Sequence, residues 1–101
     1  MQMLIVVFRE SLQDEVLTLL QDCDVKAFTL VQNVAGAGET GRVLGSFASP
    51  GLNAMLFVVL QKDQAERSVE VLKAFRDGLA EDHPAHKAPI RVFILPCTQV
   101  V

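Results

Sequence analysis

Two stretches of this chain are apolar at both parities: Met3-Leu4-Ile5-Val6-Val7-Phe8 and Met55-Leu56-Phe57-Val58-Val59-Leu60. Each is the length of a buried strand and too short for a buried helix, and both are rich in β-branched and aromatic side chains. A strand whose sheet has one wet face alternates apolar and polar residues. Neither of these does. The sheet that holds them must therefore be covered on both faces, and few arrangements of a 101-residue chain can do that.

The remaining segments show what is available as cover. Ser11-Leu12-Gln13-Asp14 has the form of a capping box, and Leu12, Val16, Leu19, Leu20 and Cys23 follow at helical spacing. Val25 to Val34 reads as a second strand. Asn53 to Leu60 is a third. Asp63 with Glu66 caps a second helix, with Ala65, Val69, Leu72 and Leu79 on its buried face. Gly78 weakens the end of that helix and Pro84 excludes helix beyond it. Ile90 to Leu95 is the fourth strand. The order predicts an α+β fold: a ferredoxin-like βαββαβ sandwich, with a four-stranded antiparallel sheet and two helices on one face. Two helices cover only one side of such a sheet. The economical cover for the other side is another copy of the chain, since an apolar patch of that size is unusual on a monomer.

The length implies a single domain, residues 1–101, with a flexible loop at about residues 35–52. That loop, Ala35 to Gly51, holds five of the six glycines and is expected to lack regular structure. Glycine allows several backbone N–H groups to converge on an anion. Gly36, Ala37, Gly38, Thr40, Gly41 and Arg42 are thus candidates for ligand contact. Val43, Leu44, Ser46 and Phe47 are candidates for docking a protein partner.

Composition excludes other classes. The formal net charge is −3, the nine basic residues are scattered, and there is no Trp or Tyr for base stacking, so nucleic acid is not an expected partner. Two cysteines, Cys23 and Cys97, form neither a CxxC motif nor a dense framework, which suits a reducing compartment. The apolar run at the N-terminus is too short for a signal peptide, and no segment reaches the ~20 apolar residues of a membrane span. A cytoplasmic location with no membrane insertion is the expectation. Arg91, between Ile90 and Val92, needs an anion or an edge position open to solvent. His83 and His86, beside Glu81 and Asp82, have a spacing that suits zinc, copper or nickel, or a solvated loop. Nothing else in the sequence calls for a cofactor.

Three patches resemble one family. Phe28-Thr29-Leu30-Val31-Gln32-Asn33-Val34-Ala35-Gly36-Ala37-Gly38-Glu39-Thr40-Gly41 is similar to the second strand and loop entry of PII nitrogen-regulatory signal-transduction proteins. Val92-Phe93-Ile94-Leu95-Pro96-Cys97-Thr98-Gln99-Val100-Val101 resembles the last strand and tail of that family. Phe57-Val58-Val59-Leu60 followed by a capped helix fits its middle. The resemblance implies a short, divergent PII-like branch. It implies a homotrimer whose sheets face inward, a small anionic effector such as an adenine nucleotide or bicarbonate bound between protomers, and a loop acting on a transporter or enzyme. It places Thr29 and Arg91 with the glycine turn in the effector site. Thr40 stands where the family has a glutamine, and His83-Pro84-Ala85-His86-Lys87-Ala88-Pro89 replaces the family's G-D-G-K loop. These departures imply a weaker nucleotide site or a smaller ligand. Two alternatives stay open: a metal-responsive trimer using His83 and His86, and an acylphosphatase-like enzyme with Arg9 and Asn53 around a phosphate. The second lacks the glycine such a cradle needs, and Glu10 would repel the phosphate. A non-enzymatic regulator is the expectation.

Overall fold

β1 (Gln2–Arg9) passes through a 3-10 turn (Glu10–Leu12) into α1 (Gln13–Asp22). β2 (Thr29–Val34), β3 (Gly36–Gly38) and β4 (Gly41–Val43) follow, then β5 (Asn53–Leu60), α2 (Lys62–Asp82) and β6 (Ile90–Pro96). The computed structural model describes residues 1–38, 41–43, 52–82 and 90–101. The main sheet has four strands in the order β2-β5-β1-β6, with antiparallel pairing throughout. This is the expected ferredoxin-like α+β architecture.

The pleat divides the central strands cleanly. Leu4, Val6 and Phe8 of β1 and Ala54, Leu56, Val58 and Leu60 of β5 are buried, and they form one core with Leu12, Val16, Leu20, Ala65 and Leu72 from the helical layer. The intervening residues point the other way. Cross-strand register arranges them in rows: Val59, Met3 and Leu95; then Thr29, Phe57, Ile5 and Phe93; then Val31, Met55, Val7 and Arg91. Within one protomer this second face is uncovered, and Phe93 is 52% and Val59 46% exposed. Of the two apolar parities of β1 and β5, one meets the helices and the other lies open on the second face.

The β2 segment is shorter than the sequence suggests. α1 ends in a Schellman motif: Val25 N–H donates to the Leu20 carbonyl and Asp24 N–H to that of Gln21, both at 3.0 Å, with Asp24 at φ 62°. The motif buries Val25 under the helix instead of in the sheet. Arg67 Nη2 and Gln64 Nε2 of α2 donate to the Cys23 carbonyl at 2.9 and 3.1 Å, tying the two helices together. Ser11 does not cap α1. It lies inside the 3-10 turn, and no side chain caps either the turn or the helix. α2 runs through Gly78 to Asp82. Cys23 and Cys97 are free thiols, the first buried. Among the described residues no helix is long and apolar enough to cross a membrane.

Candidate functional site

Part of the glycine-rich stretch, expected to be irregular, is a short antiparallel ladder. Gly36 pairs with Val43, Ala37 with Arg42 and Gly38 with Gly41. Two residues separate the strands, the spacing of the commonest β-hairpins. Cross-strand hydrogen bonds satisfy backbone groups there that a glycine-rich coil would leave to water. Thr40, Leu44, Ser46, Phe47, His83 and His86, with most of the loop assigned to 35–52, lie outside the described residues.

The root of this hairpin sits at the end of the sheet where β1 and β2 finish and β5 and β6 begin. Register places Val34 opposite Asn53 and Asn53 opposite Arg9, a fourth row on the uncovered face. Arg91 lies in the row behind it, opposite Val7. Arg9 and Arg91 are therefore diagonal neighbours on adjacent strands, their backbones about 7–8 Å apart. They are the only charged side chains in the described rows of this face, and the Glu10 carboxylate lies at the end of the sheet, where it accepts from the Asn33 N–H at 3.3 Å. Neither forms an ion pair among the described residues, where the salt bridges involve Arg67, Lys73 and Arg76.

Arg91 also borders a cleft of 360 Å³ between α2 and β6, with Lys73 and Arg76 on its helical wall and Val92 and Phe93 on its strand wall. Those two cations are already met by neighbours, Lys73 by Glu70 at 3.7 Å and Arg76 by Asp77 at 3.1 Å.

The expected site residues are not all brought together within one protomer. Arg91 is on β6 and the hairpin follows β2, the two opposite edges of the sheet. Three strand spacings separate these edges, about 14 Å. Thr29 stands at the far end of β2 beside a different cleft, of 510 Å³, with Phe28, Phe57, Val59 and Gln99. Arg9 and Asn53, considered from sequence only for phosphate chemistry, do meet across β1 and β5 at the hairpin root. Their signal was present in the alternation Ile5, Val7, Arg9, which puts the arginine on the same face as two apolar residues.

Compared with known proteins, the chain matches the family model for Nitrogen regulatory protein P-II over residues 1–101. No curated protein sequence matches it. Among solved structures it is similar to CPII, a nitrogen regulatory PII-like protein from Thiomonas intermedia K12. With CPII bound to ADP, AMP and bicarbonate the TM-score is 0.69 at 20% identity, covering 93% of this chain and 84% of that one. The form bound to ADP and bicarbonate gives 0.67 at 19% identity with the same coverage, and the apo form gives 0.66 at 16% identity over 93% and 85%.

Proposed function

The chain belongs to the Nitrogen regulatory protein P-II family, and from that premise we propose that it is a cytoplasmic homotrimeric regulator, not an enzyme, that senses an adenine nucleotide or bicarbonate between protomers. The output is contact with a protein partner, a transporter or an enzyme, through the segment that begins at Val43 and includes Leu44, Ser46 and Phe47.

One observation carries this reading: an apolar sheet face whose described charges are two neighbouring arginines. Assembly through that face removes both from water. A desolvated guanidinium is costly unless an anion meets it, and charge-assisted contacts to phosphate or carboxylate supply that partner. The two sheet edges lie about 14 Å apart, too far for a bicarbonate-sized anion to touch Arg91 and the hairpin of the same chain at once. A ring in which β2 of one copy faces β6 of the next brings the two together and leaves neither edge open. The CPII structures bound to ADP, AMP and bicarbonate support the same ligand class.

Arg9 and Asn53 serve here as binding groups. Binding of ADP, AMP and bicarbonate is measured by calorimetry for wild type, Arg9→Met and Arg91→Met, with light scattering on each. Each substitution keeps much of the apolar stem and removes the charge. Each should weaken binding tenfold or more, since a hydrogen bond to a charged group is worth about 1.5–3 kcal/mol, and the trimer should persist. Full affinity in both variants refutes the site. Loss of zinc binding in His83→Ala with His86→Ala, alongside such a result, would favour the metal-responsive reading. Hydrolysis of an acyl phosphate that disappears in Arg9→Ala would favour the enzyme.

A further inference from the structure

The sheet does not hold the root of the β3–β4 hairpin by itself. Between Val31, which pairs with Met55, and Val34, which pairs with Asn53, β2 has one residue more than β5. This is a β-bulge, and Asn33 within it takes φ 59°, a left-handed conformation that asparagine tolerates better than most residues bearing a side chain. Such a conformation persists where its surroundings hold it, and here the surroundings are the β1–α1 junction. Asn33 N–H donates to Glu10 Oε1 at 3.3 Å, and Gln32 Nε2 donates to Gln13 Oε1 at 2.8 Å. Glu10 also donates its own N–H to the Leu52 carbonyl at 2.8 Å. Leu52 directly precedes β5, on the returning stem. One residue therefore grips both stems, the outgoing one by its carboxylate and the returning one by its backbone.

We propose that Glu10 is the positioning residue of the effector site: its carboxylate fixes the Asn33 bulge, and the bulge sets the direction in which the hairpin leaves the sheet. This rests on the assignment of the hairpin root as part of the effector site. A bulge bends its strand and increases the local twist, so its conformation decides where Gly36 to Gly38 stand relative to the arginine rows. Reach and acceptor chemistry both matter. Aspartate is one methylene shorter and falls short of the amide. Glutamine keeps an oxygen acceptor without the charge. The backbone grip on Leu52 survives any of these changes, so the sheet itself should remain intact.

Two measurements on the full chain test this. Amide hydrogen exchange, read by NMR without ligand, should show Asn33 exchanging about fivefold or more faster in Glu10→Ala and Glu10→Asp, with Glu10→Gln near wild type, as expected for losing one modest hydrogen bond. The core amides of Val6 and Leu56 should be unchanged in all three. Titration with ADP and with bicarbonate, each alone, should show affinity about fivefold weaker in Glu10→Ala and Glu10→Asp and restored in Glu10→Gln. Unchanged exchange at Asn33 in Glu10→Ala overturns the proposal. So does a Glu10→Gln variant that behaves like Glu10→Ala. If the wild type binds neither probe, the effector assignment falls and Glu10 loses its role in a site, while the exchange result still decides whether it holds the bulge.

Discussion

Val58 and Val59 are adjacent in β5 and face opposite ways, so the same substitution at each should fail differently. Val58 is fully buried beneath the helices, whereas Val59 is 46% exposed and lies in register with Met3 on the uncovered face. Val58→Asp puts an unpaired carboxylate in the protomer core and removes a packed side chain. Burying an isolated carboxylate costs several kcal/mol, and a domain of this size has about 5–15 kcal/mol in total. That variant should lose its folded circular dichroism signal or aggregate. Val59→Asp leaves the protomer core untouched. In the proposed trimer it forfeits the burial of the exposed half of a valine, about 0.7–1.5 kcal/mol per copy, and brings a carboxylate out of water in each of three copies. Light scattering should give a mass about three times 11.1 kDa for wild type and one protomer for Val59→Asp, which keeps its native spectrum. A wild-type monomer at micromolar concentration, or a Val59→Asp trimer, refutes assembly through this face. A stably folded Val58→Asp refutes the assignment of faces.

Three further expectations concern stability, each read by chemical or thermal unfolding. Ser68 is fully buried on α2, with no hydrogen-bond partner for its hydroxyl among the described residues. Ser68→Ala should stabilise by about 1 kcal/mol through lower desolvation and better helix propensity, and an unchanged or lower melting temperature would show that the hydroxyl is satisfied in solution. Gly78 lies inside α2, and a methyl group added there meets nothing within 4 Å. Gly78→Ala should gain roughly 0.5–1 kcal/mol, and destabilisation would mean that assembly or a ligand uses the space. Arg67→Ala removes the 2.9 Å bond to the Cys23 carbonyl that joins α2 to the end of α1. It should lower the urea midpoint by the equivalent of about 1 kcal/mol without changing the slope.

Much of the fold was legible because it rests on local pattern. Met3–Phe8 and Met55–Leu60 are strands by length and residue type wherever they sit, and Val16, Leu20, Ala65 and Leu72 mark the helix faces by spacing alone. The need for a second layer of cover followed from counting apolar parities against two helices. The errors fall where a few hydrogen bonds choose between local alternatives. Ser11 had a suitable side chain for a cap, but the chain winds through a 3-10 turn there. Val25 has strand propensity, yet the Schellman motif pulls it under α1. The glycines of residues 36–41 permit a coil and also permit the close ladder that the backbone adopts.

The candidate site divides along the same line. The identity of its groups is written in the chain: a glycine turn able to approach an anion, Arg91 inside an apolar strand, and a patterned resemblance running from Phe28 to the tail. Their grouping is not. Arg9 and Arg91 are 82 positions apart in the chain, and they become neighbours only because β6 pairs with β1 in a register that sets Val7 against Arg91. A slip of one residue would turn Arg91 to the opposite face. The separation of Arg91 from the hairpin likewise follows from strand order, which puts β2 and β6 at opposite edges. Spacing along the chain reports period and propensity, which are short-range. Strand order and register are settled by burial summed over the whole core, the extra residue at Asn33 is met by polar contacts from the β1–α1 junction, and together they decide which charges become neighbours and which stay at opposite edges.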